Sequence, residues 1–197
     1  MEFKGKSEVR EFNPAPAQTE IPPEFFTRNR DGLSNFDKVE LEKAEKMIAR
    51  SVDFIKDNAE TPVEVKTAET LTNYFNSNSV KLYDSGGDNF GAFRPRENKI
   101  YIDVNCALED GTAELVDTLF HEAYHAAQHK AGNRNDIVKD ETKAWNLGLD
   151  MSNKYRAEHG ETIVRTRPYT ESEMANKGYK AWEGYSGFVE IAKEVRA

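Results

Sequence analysis

Disulfides are excluded at the outset. The 197 residues hold one cysteine, Cys106, so no internal cross-link can form. With no histidine partner in view, Cys106 is expected to be a small buried residue rather than a nucleophile. No apolar run approaches the roughly 20 residues of a membrane-spanning helix. Met1–Arg10 has no signal-peptide core. No membrane partner is therefore expected, and the expected location is the cytoplasm, or delivery by non-classical secretion that reads no signal peptide. Positive charge is also short: 27 Lys and Arg stand against 35 Asp and Glu, a formal charge of −8. Nucleic-acid binding, which needs clustered Lys and Arg, is not expected. Gly86-Gly87 is too short for a phosphate loop and reads as a turn. Internal repeats are absent. Histidine is scarce as well, with four in the chain, yet two of them fall within one helical turn.

Those two lie in His121-Glu122-Ala-Tyr-His125, the pattern H-E-x-x-H. On a helix, residues four apart stack on one face. Two neutral imidazoles at that spacing can take two corners of a tetrahedral zinc site. Glu122, on the edge of the same face, can reach a water at the metal without being a ligand. Leu115, Val116, Leu119, Phe120, Ala123, Tyr124 and Ala127 form a broad apolar stripe around the motif, the mark of a buried helix. Two histidines and a glutamate inside such a helix are costly to bury unless something satisfies them, and a metal would.

A catalytic zinc takes three protein ligands and leaves one position for water. Sixteen residues past His125, Glu141 opens a second helical pattern with Ala144, Trp145, Gly148, Met151 and Tyr155. Glu141 shares a face with Ala144 and Gly148, and small residues there let this helix pack closely on the first. Glu141 is therefore the expected third ligand. Asp136, in the turn Gly132–Asp136, Asp140, about 100° away on the helix, and His159, far along it, remain alternatives. His129 is expected to be a solvated end residue, where a cation suits a helix C-terminus.

The rest of the chain supports an α+β domain. Residues 1–33, with Asn13-Pro-Ala-Pro-Ala and Ile21-Pro-Pro-Glu, read as a flexible N-terminal arm. Residues 34–197 form the folded domain. Ser34 is the expected cap of a first helix running to about Asp57, and Thr61-Pro62-Val63-Glu64 starts a second that ends near Asn76. The runs Val80–Tyr83, Phe90–Phe93 and Lys99–Asp103 read as short strands separated by turns. They predict an antiparallel sheet of three or four strands directly before the histidine helix. Thr112 is a candidate cap of that helix. Thr162–Pro168 reads as extended, and Thr170–Lys177 and Lys180–Val195 as C-terminal helices. Tyr155, Tyr169, Tyr179 and Tyr185 are dispersed through this half; each is read as core or surface, and one as a possible oxyanion donor.

The H-E-x-x-H motif with a glutamate on a following helix resembles the zincin metallopeptidases, in particular their gluzincin branch. The extended metzincin pattern is absent, because Gln128 and Ala131 stand where its glycine and third histidine would be. The thermolysin-like E-x-x-x-D is not met either, since Trp145 takes its last position. The short spacer followed by E-x-x-A is similar to small metallopeptidase domains of bacterial toxins and effectors. The likeness spans roughly Val80 to His159. It implies a zincin-like domain in which His121, His125 and Glu141 hold Zn²⁺, Glu122 is the general base, and a strand at the cleft rim, Ile100–Asp103 or Phe90–Phe93, pairs with a protein or peptide substrate. Two other readings stand beside it. One is a binding or immunity-type protein with a structural or vestigial metal site, closed by a fourth ligand such as Asp136 or His159. The other is a zinc hydrolase acting on a different acyl bond. Oligomeric state is not legible.

Overall fold

The computed structural model describes residues 33–85, 90–108, 111–133 and 137–175. The arm at 1–32, the Gly86-Gly87 turn, Asp136, Tyr179, Tyr185 and the proposed helix at 180–195 lie outside the described residues. Leu33, assigned to the arm by the sequence, is buried at 6% exposure and joins the core.

Helix α1 (Lys38–Asn58) is capped by Asp37, not Ser34: Asp37 Oδ1 accepts from the Glu40 N–H, and Glu40 reaches back to the Asp37 N–H. Glu40 completes the reciprocal pair. Leu41, Ala44, Ile48, Val52 and Ile55 are its buried face. Helix α2 (Pro62–Asn76) begins as the sequence predicts, with Thr61 and Glu64 forming the same reciprocal cap and proline at the first position. Strands β1 (Val80–Tyr83), β2 (Gly91–Arg94) and β3 (Lys99–Asp103) follow.

The sheet is mixed rather than antiparallel. Its order is β1-β3-β2. β1 runs parallel to β3 with Val80 opposite Ile100, and β2 runs antiparallel to β3 with Gly91 opposite Ile102. The reason lies in the two connections. The turn at 95–98, with Asn98 at φ 52, folds β3 back on β2 as a hairpin. β1 and β2 are not neighbours, and β3 takes the place between them. Ile100, Ile102 and Leu82 are buried on the sheet's inner face.

A five-residue helix, α3 (Val104–Leu108), continues from β3. Asp103 fastens the junction: its carboxylate accepts from the N–H groups of Asn105 (2.8 Å), Cys106 (3.3 Å) and Ser85 (2.7 Å). Cys106 is buried, as expected. Helix α4 (Thr112–Lys130) starts after Gly111, whose φ of 93 suits glycine; no side chain caps it, so the expected Thr112 cap is replaced by the glycine turn. Helix α5 (Ile137–His159) begins three residues earlier than the Asp140 start read from the sequence. The 162–168 run forms no strand, and a helical stretch occupies 171–175.

α4 is the centre of the molecule, contacting α1, α2, α3, α5, β2 and β3. Leu115, Val116, Leu119, Phe120 and Ala123 are fully buried in one core with the α1, α2 and sheet residues. Burying five such side chains contributes on the order of 1.5–3 kcal/mol for each larger one, enough to fix which face of α4 is left for α5. That face carries His121 and His125.

Candidate metal centre

The α4–α5 contact is close because its residues are small where the backbones cross. Ala144 is fully buried. A Cβ on Gly148 would meet the Asp117 carboxylate and come within 2.9 Å of the Asp117 main-chain oxygen. Such approach is possible only for glycine. It carries Glu141, two turns earlier on α5, to the histidine pair on α4.

There the side chains converge. His121 Nε2 and His125 Nε2 lie 3.1 Å apart. Glu141 places one carboxylate oxygen 3.5 Å from His121 Nε2 and the other 3.3 Å from His125 Nε2. One ligand atom from each of the three residues falls within 4.8 Å of the others, so the group could hold a metal ion. Bonds of about 2.0–2.1 Å in tetrahedral geometry give ligand–ligand edges of roughly 3.3 Å, and the observed separations bracket that value. The three side chains are 12%, 18% and 29% exposed, which shelters the centre while leaving it an opening.

Electrostatics match a cation site. Burial opposes charge on His125, but hydrogen bonds and negative charge from Asp140 and Glu141 outweigh it and push its pKa up to about 10. Burial likewise opposes the Glu141 carboxylate, yet the two imidazoles hold it well below the usual carboxylate range. A metal bound here would take the place of the proton on His125.

Glu122 is buried beside the centre, with Oε1 3.9 Å from His121 Nε2. Its other oxygen accepts a 2.6 Å hydrogen bond from the Phe93 N–H of β2. Strand β2 lies tight against α4 here: a Cβ on Gly91 would stand 2.6 Å from Thr118 Cγ2 and 3.3 Å from Glu122 Cγ.

Two of the alternative ligands, Asp140 and His159, lie among the described residues and separate from the triad. Asp140 Oδ2 lies 3.1 Å from His125 Nδ1, on the opposite side of the ring from Glu141. It also bonds the Tyr124 hydroxyl, whose pKa burial and Asp140 together raise. Asp140 therefore holds the His125 ring by its other nitrogen, the place an orienting carboxylate takes in metal sites, and this was missed in the sequence. The signal was there: a carboxylate 100° around the helix from Glu141 faces the other ring nitrogen. His159 is exposed, bonds the Tyr155 carbonyl at 2.8 Å and stacks on the Tyr155 ring at 3.9 Å. Eighteen residues from Glu141 it is about 27 Å along α5, so it is no ligand of this centre. His129 is exposed, with its ring 5.5 Å from Phe93. Trp145 sits edge-on to His121 at 5.2 Å and against Tyr169 at 5.8 Å. The position four after Glu141 thus faces His121, with an indole in place of a carboxylate.

Of the two candidate rim strands, β3 is paired on both sides and has no free edge. β2 is the edge strand beside the centre.

Searches against family models, curated proteins and solved structures return no match for this chain.

Proposed function

We propose that the protein is a zinc-dependent metallopeptidase that hydrolyses peptide bonds of a protein or peptide substrate, with His121, His125 and Glu141 as ligands and Glu122 as general base. The observation that carries the reading is the placement of Glu122. A buried carboxylate whose oxygen lies 3.9 Å from a ligand nitrogen is within reach of a water at the metal without taking a ligand position.

Zinc bound to the triad would lower the pKa of water and polarise the scissile carbonyl. Glu122 takes a proton from the attacking water at Oε1 and returns it to the leaving amine. Asp140 holds the His125 ring by Nδ1, keeping Nε2 turned inward. The indole of Trp145 fills the space beside His121 and keeps bulk water from that ring. Three protein ligands would leave a fourth position for water, as a catalytic zinc requires.

Metal content by elemental mass spectrometry, run beside peptide hydrolysis, tests this. Wild type should carry about one zinc per chain, as a three-ligand site does. Glu122→Gln should keep that zinc and lose turnover, whereas His121→Ala should lose both. Wild-type turnover in Glu122→Gln refutes the mechanism.

A further inference from the structure

The structure assigns a positioning role to the main-chain N–H of Phe93: from the outer edge of β2 it holds Glu122 Oε2, so that Oε1 is the oxygen turned to the metal centre. The inference rests on the base role proposed for Glu122, but its geometry stands on the sheet itself.

The Asp103 N–H donates to the Phe90 carbonyl at 2.8 Å, which makes Phe90 and Asp103 a hydrogen-bonded pair. Pairs alternate along antiparallel strands. Ala92 therefore faces Tyr101 in the ladder, while Gly91 and Phe93 turn their N–H groups outward. Ile100, opposite Phe93, agrees, because its N–H bonds Ser79 on the β1 side. Among the described residues no strand lies beyond β2 to pair with the Phe93 N–H. It donates instead to Glu122 at 2.6 Å in a buried setting, where a charge-assisted bond is short and strong.

The cradle is closely packed. Gly91 lets β2 touch Thr118 and the Glu122 stem. The Phe93 ring is buried, with Tyr74 at 6.1 Å and His129 at 5.5 Å. A carboxylate free to rotate would offer either oxygen to the centre, or neither. Held at Oε2 it presents Oε1 in one orientation, and misplacement of a reacting group by about 1 Å can cost a hundredfold in rate. The same bond consumes the Phe93 N–H, so that donor is not offered to an extended substrate on β2.

Two measurements test the proposal. Amide hydrogen exchange at Phe93, read on the metal-free full chain, should speed up about tenfold in Glu122→Ala, matching the loss of one net hydrogen bond. Glu122→Gln keeps an acceptor and should exchange more slowly than Glu122→Ala. Equal rates in wild type and Glu122→Ala overturn the contact, whether or not the zinc-loaded protein hydrolyses anything. The second compares Phe93→Pro with Phe93→Val. Both remove the ring, but proline alone removes the N–H, and an outward edge position tolerates it. The expected result is a kcat at least about tenfold lower in Phe93→Pro than in Phe93→Val, with KM and zinc content alike in the two. Equal kcat values overturn the positioning role. If Phe93→Pro does not fold, the exchange comparison decides alone.

Discussion

Asp140 and Glu141 are neighbours in the chain with different tasks. One helix step of 100° puts Glu141 on the Nε2 side of the histidine pair and Asp140 on the Nδ1 side of His125. Removing the orienting carboxylate while keeping its shape, Asp140→Asn, should weaken zinc binding about 10–100-fold; competition with a chromophoric chelator measures it. With the His125 pKa raised to about 10, zinc binding as proposed would depend on pH. At pH 7 the metal-free side chain is protonated, and a ligand must be neutral. Binding then expels about one proton, and affinity should rise roughly tenfold per pH unit below that pKa; calorimetry in buffers of different ionisation enthalpy reads the proton directly. The stability linkage runs the same way. The raised His125 pKa stabilises the metal-free fold below about 6.5, and that contribution is lost as pH rises through about 10. The lowered Glu141 pKa stabilises it above about 4.5, and that contribution is lost as pH falls through the depressed value.

The α4–α5 crossing explains why a glycine stands at 148 in the middle of a helix, where it costs about 1 kcal/mol relative to alanine. Restoring the methyl in Gly148→Ala would drive it into Asp117. The expected loss is about 1–3 kcal/mol, against the gain alanine gives in an open helix, and denaturant unfolding distinguishes the two signs. Because Glu141 rides on the same helix, zinc affinity should fall in parallel. The pairing of small residues with Glu141 on one face was legible from helical spacing alone, as was the reciprocal cap at Thr61. The sheet was less so. Alternating apolar residues mark Val80–Tyr83 and Lys99–Asp103 as strands, but not which neighbour each takes. Parallel pairing of β1 with β3 depends on a hairpin folding into a gap, and no local pattern encodes that.

Zinc would tie α4 to α5 across a turn and so bear on the stability of the whole chain. A ligand that binds only the folded state stabilises it by about 2.7 kcal/mol at a hundred times its Kd. Zinc should therefore raise the melting temperature of the wild type, and His121→Ala should abolish the rise; differential scanning calorimetry with and without chelator checks it. The far end of α5 is held independently. Lys154 Nζ reaches the Asn58 carbonyl at 2.9 Å, with Glu60 at 3.2 Å and Glu64 at 3.3 Å. A long helix anchored at Lys154 and at Gly148 delivers its first turns to the histidines. Much of this follows from local order. The stacking of His121 on His125, the apolar stripe that buries them, and the common face of Glu141 and Gly148 are consequences of 3.6 residues per turn, a period carried by the chain itself. Which oxygen of Glu122 faces inward, which nitrogen of His125 Asp140 takes, and which strand edge lies beside the centre have no such period behind them. They depend on how far apart α4, α5 and β2 come to rest, and that spacing is set by close packing among residues distant in sequence.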